Sequence, residues 1–70
     1  MELRNLVRVV EVFADESLDI SAKGLLRVLH SNDIDLEELI IFLLPRDYDP
    51  PVSNIQLGRI RDRLREVFHD

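Results

Sequence analysis

The chain's chemically active side chains are 14 Asp and Glu, nine Lys and Arg, and two His; there is no Cys. Carboxylates are the natural place to look for a metal site. Asp15-Glu16-Ser17-Leu18-Asp19-Ile20 alternates oxygen-bearing side chains as an EF-hand loop does. That loop needs Gly at its sixth position and a bidentate Glu at its twelfth. Here those positions are Ile20 and Leu26, so calcium is not expected. His30 and His69 have no histidine at metal-ligand spacing. Without Cys there is no thiolate nucleophile, and no Gly-x-Ser-x-Gly elbow or His-Glu helix motif stands in for one. Two glycines in the whole chain leave little for a loop that cradles phosphate. The expectation is a non-enzymatic protein with no cofactor and no metal.

The remaining chemistry is association. Leu39 to Leu44 is an unbroken apolar run. Leu36, Leu39, Ile40 and Leu43 supply a core stripe at helical spacing, and Ile41, Phe42 and Leu44 point elsewhere on the wheel. A helix apolar all round is either central in its fold or covered by a partner. The second alternative gives the expected site: Ile41, Phe42 and Leu44 buried against a protein partner or a second copy, with Tyr48, Arg61 or Arg65 at the rim. Tyr48, in an acidic Pro-containing loop, is either a binding aromatic or a lid on the core. Arg61 and Arg65 flank one side of the stripe on the last helix and Arg59 and Arg63 the other. The bland reading pairs Arg59–Asp62, Asp62–Arg65 and Arg63–Glu66 within that helix.

Four helices must position these groups. The first runs from about Glu2 to Ala14, with Leu3, Leu6, Val7, Val10 and Phe13 recurring at helical spacing and Val9 and Ala14 widening the arc. Arg4, Arg8, Glu11 and Asp15 lie opposite. Val12 falls outside the arc, near Asn5, and is expected at the surface. The second helix, from about Ser21 to His30, carries Ala22, Leu25, Leu26 and Leu29 as its stripe, with Ser21 or Asp19 as cap. Gly24 inside it costs about 1 kcal/mol against Ala and suggests close approach of another helix; a ragged helix start is the alternative. The third opens on Asp35 and Glu38 as a capping box, with Ile34 and Leu39 as staple, and stops at Pro45. The segment 45–51 is a stiff spacer, since Asp49 and Pro50 each precede a proline. The fourth, about Asn54 to Phe68, opens on Ser53 and Gln56 with the Val52–Leu57 staple and buries Leu57, Ile60, Leu64, Val67 and Phe68. The fold class is therefore all-α, a bundle of four short helices or five if a loop adds a turn. Residues 1–70 form one domain.

Size and charge narrow the classes further. The 70 residues are 46% hydrophobic and 33% charged with net charge −5, too apolar for a disordered acidic tail. The longest apolar run is far below the roughly 20 residues that span a bilayer. Glu2 and Arg4 open a mixed helix rather than a signal peptide. No membrane association is expected, and the lack of Cys fits a cytoplasmic setting.

Three resemblances bear on partners. Residues 25–44, LLRVLHSNDIDLEELIIFLL, resemble the helix-turn-helix joints of death-fold adaptor domains. That likeness implies association between adaptors, although those domains have six helices. Residues 44–55, LPRDYDPPVSNI, resemble the Pro- and Asp-containing stretch of colicin-type immunity proteins, which are longer acidic inhibitors of basic nucleases. That likeness implies an acidic surface of Glu37, Glu38, Asp47 and Asp49 for a basic target, with fast steered association. Residues 36–60 resemble repressor helix-turn-helix segments, with Ser53, Asn54, Gln56 and Arg59 as readers. Against that reading, the turn is too long and the domain acidic. A helix-two to helix-three arrangement would turn Asp35, Glu37 and Glu38 toward phosphates. Nucleic acid is not the expected partner. The favoured function is a small helical protein–protein interaction module that self-associates or docks in a regulatory role. An acidic, immunity-like inhibitor is the alternative.

Overall fold

The computed structural model describes residues 1–45 and 51–68. Four helices follow in chain order: α1 (Leu3–Asp15), α2 (Ala22–His30), α3 (Leu36–Leu43) and α4 (Asn54–Phe68). Three of the four starts are fixed by the side chains the sequence singles out. The Ser21 hydroxyl accepts the Gly24 N–H at 3.2 Å. The Asp35 carboxylate accepts the Glu38 N–H at 2.8 Å, and Ser53 accepts the Gln56 N–H at 3.1 Å. Each satisfies a donor that a helix start leaves without a backbone partner. Gln56 completes no reciprocal box. Its side-chain amide instead donates to the Glu16 carbonyl at 3.0 Å.

α1 ends in a Schellman turn. The Leu18 N–H reaches the Phe13 carbonyl and the Ser17 N–H the Ala14 carbonyl, both at 3.0 Å. This closure needs a left-handed residue, usually Gly. Here it is Ser17, with φ of 59°. A Cβ in that conformation costs roughly 1–2 kcal/mol. Ser17→Gly is expected to stabilise the chain by about 1 kcal/mol after the entropy of Gly in the unfolded state is subtracted. A higher urea midpoint at unchanged m-value is the measurement that shows it.

Hydrogen bonds give the directions of the helices. Gln56 and Arg59 near the start of α4, and Arg63 past its middle, reach Asp15 and Glu16 at the end of α1, while Phe68 lies with Met1 and Asn5 at the opposite end, so these two helices are antiparallel. The Ser21 N–H donates to the Leu43 carbonyl at 2.8 Å, setting the start of α2 on the end of α3. The Met1 ammonium donates to the Ser31 carbonyl at 3.1 Å, setting the start of α1 beside the end of α2. α1 packs on α4, α2 on α3 and α3 on α4. The shortest dimension is 17 Å, two helix layers thick.

The core joins all four helices through Leu6, Val9, Val12, Phe13, Val28, Leu39, Ile40, Leu43, Ile60, Leu64 and Val67. Three expectations fail here. Val12 is 3% exposed and part of this core, while Leu3 and Val7 lie outside it. The reason is α4: Val12 sits one turn before Glu16, the residue that holds Arg59 and Gln56, so α4 covers that edge of α1. In α2 the buried residues are Gly24 and Val28, not the expected stripe. A Cβ on Gly24 would stand 1.7 Å from the Phe42 carbonyl oxygen. That close approach, rather than the apolar stripe, decides which side of α2 faces inward. Phe68, expected in the core, is exposed at the end of α4.

Candidate interaction surface

Of the expected site residues, Ile41 is 62% exposed on α3. Phe42 and Leu44 are half-buried and lean on the core. All three line a shallow cleft of about 430 Å³ with Ser21, Lys23, Gly24, Arg27 and Pro45. The Arg27 guanidinium lies over the Phe42 ring, 5.0 Å from its centre, a cation–π contact that covers one face of the aromatic. Tyr48 lies outside the described residues.

Arg61 and Arg65 do not join this cleft. Arg61 clasps Glu37 with both nitrogens, at 2.6 and 3.3 Å, and ties α4 to α3. Arg65 pairs with Asp62 at 3.2 Å within its own helix. Arg59 reaches Glu16 at 3.0 Å and Arg63 reaches Asp15 at 2.8 Å. So one of the three expected local pairs forms, and three arginines cross to other helices. Glu37 of the expected acidic surface is thereby engaged with Arg61, while Glu38 is exposed. Asp47 and Asp49 lie outside the described residues.

The Arg59–Glu16 pair has a pH signature. The Arg59 guanidinium donates to Glu16 through two nitrogens and holds its carboxyl below the ordinary glutamate value, helped by Gln56 and the charge of Arg63 against an opposing desolvation. A carboxyl with a depressed folded-state value adds stability that is present above its unfolded value and is lost as pH falls through the folded one. Glu16→Gln is therefore expected to flatten the stability curve on the acid side of about pH 4.5 and leave its shape near neutrality unchanged. Urea midpoints taken across that range give the comparison, and Arg59→Met should raise the Glu16 titration observed by carboxyl NMR.

A second surface is missing from the sequence reading. Leu3 and Val7 on α1 are 70% and 51% exposed, and Leu26 and Leu29 on α2 are 58% and 41% exposed. The Met1 ammonium on the Ser31 carbonyl brings one end of each helix together, while the close packing partners are α4 for α1 and α3 for α2. The outcome is an exposed apolar seam on each of the two helices, beside half-buried Val10 and Leu25. The same helices carry exposed Arg4 and Arg8 on α1 and, lining the α2–α3 cleft, Lys23 and Arg27 on α2. None of these four takes part in an ion pair among the described residues. One sequence signal could have located the seam: if Gly24 faces inward, Ala22, Leu26 and Leu29 on the other side of that helix must face out.

The larger cleft, about 700 Å³, lies at the end where Met1, residues 31–36, Arg65 and Phe68 meet. Among the described residues there is no group of three or more metal-ligating side chains, and no helix is long and apolar enough to cross a membrane. Compared with family models, curated proteins and solved structures, the chain matches none.

Proposed function

We propose that this chain is a non-enzymatic helical interaction module that docks another protein surface through the exposed apolar residues of its first two helices. One observation carries the reading: Leu26 and Leu29 of α2 and Leu3 and Val7 of α1 are large apolar side chains exposed to solvent. Burial of apolar surface returns about 25 cal/mol per Å², and a contiguous exposed patch of this kind on a small protein marks an interface or an aggregation hazard. Ile41 and the cleft around Phe42, lined also by Lys23 and Arg27, form a second exposed area between α2 and α3.

Site-specific photo-crosslinking tests this. A benzophenone side chain at Leu29 is expected to form a discrete adduct in the cells that make the protein. One at Glu66, exposed on α4, should not. Val7→Asp with Leu26→Asp should abolish the Leu29 adduct while circular dichroism stays unchanged. An adduct of twice the chain mass assigns the seam to self-association. No adduct above the Glu66 control overturns the proposal.

A further inference from the structure

We infer that the cleft between α2 and α3 binds a short acidic peptide segment of another protein, with a large apolar side chain against Phe42 and Leu44 and a neighbouring Asp or Glu on Lys23 and Arg27. This site is separate from the exposed residues of α1 and does not require that surface to be occupied. The lining combines two chemistries: Ile41, Phe42, Leu44 and Pro45 are apolar, and Lys23 and Arg27 are cations. Among the described residues that line it there is no carboxylate. Lys23 and Arg27 stand one turn apart on one face of α2, where like charges repel. Neither has an ion pair among the described residues, although the chain carries net charge −5. A carboxylate bound here relieves that repulsion and meets cations that no carboxylate of the lining neutralises. Arg27 is already placed for it. Its guanidinium lies 5.0 Å from the centre of the Phe42 ring, and a planar cation stacked in advance loses less freedom when it takes a carboxylate through two N–H groups.

Size and shape favour a peptide over a free small molecule. The cleft is shallow and holds about 430 Å³, near the lower end of sites that enclose a small ligand. Ile41 at its margin is 62% exposed, so apolar surface continues outside it. A chain that runs on past its anchoring side chain covers that surface, and the contacts around a central anchor keep water from it. A carboxylate of metabolite size ends at the cleft. An anionic bilayer carries the right sign of charge for Lys23 and Arg27 but repels the molecule as a whole.

A displayed library of short random linear peptides, selected on the folded chain, decides the question. Enriched sequences are expected to carry Leu, Ile, Phe or Trp with Asp or Glu beside it. A synthetic copy should shift the backbone amide resonances of Lys23, Gly24, Arg27 and Phe42. It should bind Lys23→Glu/Arg27→Glu, which touches no ion pair, about tenfold more weakly, and bind the unsubstituted chain more weakly as salt rises. Replacing its acids with Lys should restore binding to that variant. Ile41→Asp, at an exposed position, should also weaken it, with circular dichroism unchanged for both variants. No enriched peptide, enriched peptides without acids, or shifts confined to other residues overturn the inference. Phenylacetate binding as tightly as the peptide overturns it in favour of a free carboxylate, and tighter binding to phosphatidylserine vesicles in favour of a lipid surface. A dimer mass by light scattering that Lys23→Glu/Arg27→Glu abolishes overturns it in favour of a second copy. The Leu29 adduct reads the other surface: its absence removes that docking proposal, while the amide shifts still decide this one.

Discussion

Gly24→Ala is expected to lower the melting temperature by about 15 °C or more, and Gly58→Ala to raise it by about 4–8 °C. The two substitutions are chemically identical and both lie inside helices. Intrinsic propensity alone favours Ala by about 1 kcal/mol at each. At Gly58 nothing lies within 4 Å of the new methyl group, so that gain should appear in full, at 4–8 °C per kcal/mol for a chain of this length. At Gly24 the methyl would stand 1.7 Å from the Phe42 carbonyl oxygen and 2.5 Å from its carbon. Both are backbone atoms of α3, so no side-chain rotamer can yield. α2 must lift off α3, and with it go the Ser21–Leu43 hydrogen bond and the seat of Val28. Overpacking of well-fitted sites costs about 1–3 kcal/mol when side chains can adjust, and a backbone collision belongs at or above the upper end. A 70-residue chain has roughly 4–10 kcal/mol in total, so about 3 kcal/mol removes a large share. Thermal scans by circular dichroism give both numbers. A raised melting temperature for Gly24→Ala would mean that α2 does not rest on α3 in this way.

The contrast shows where local sequence rules hold. Asp35, Ser53 and Pro45 act within a few residues of themselves, so the boundaries of α3 and α4 could be read directly. The Schellman turn after α1 could not, because its left-handed position holds Ser17 instead of the usual Gly. The arginines of α4 show a different limit. Arg59 and Arg63 each have a carboxylate three residues on, and both prefer Asp15 or Glu16 on α1. Local spacing lists candidate pairs, and packing selects among them. Of the candidate site, Ile41 is exposed, while Phe42 and Leu44 are half-claimed by the core. The seam itself was misread because amphipathicity says which side of a helix seeks burial, not whose surface buries it. The strongest stripe in α2 was assigned to this chain's own core, and Gly24 had already taken that role for the opposite side.

This division has an energetic consequence. A chain this small buries only about 60% of its unfolded surface, and leaving Leu3, Val7, Leu26 and Leu29 outside removes further apolar area from folding. An occupant of the seam would return that area and stabilise the folded form in proportion to its concentration over its dissociation constant. Folding and the proposed docking would thereby be coupled, with α1 and α2 taking part in both.

The rotation of α1 can be tested apart from any partner. Val12→Asp is expected to unfold the chain at room temperature, while Val7→Asp shifts stability by no more than about 0.5 kcal/mol, the range of ordinary surface changes. The apolar arc drawn from sequence, which holds Val7 and leaves out Val12, predicts the reverse. Asp and Val have similar helix propensities, so the difference between the variants isolates burial. At Val12, 3% exposed between α1 and α4, the carboxylate would lose its hydration, a penalty of several kcal/mol that the group escapes only by taking a proton or opening the structure. Arg59 and Arg63 of the covering helix are held by Glu16 and Asp15, and recruiting either would break a tie between α4 and α1; Arg8, one turn back on α1, is exposed and could meet the carboxylate only by drawing it out of the core. Val7→Asn and Val12→Asn separate charge from size. Val12→Asn should still cost at least about 2 kcal/mol, because it leaves an amide buried without partners, and Val7→Asn should be silent. If Val7→Asp were the variant that unfolds, α1 would be turned by about a quarter of its circumference. The seam would then be core, and the proposed docking surface would fall with it.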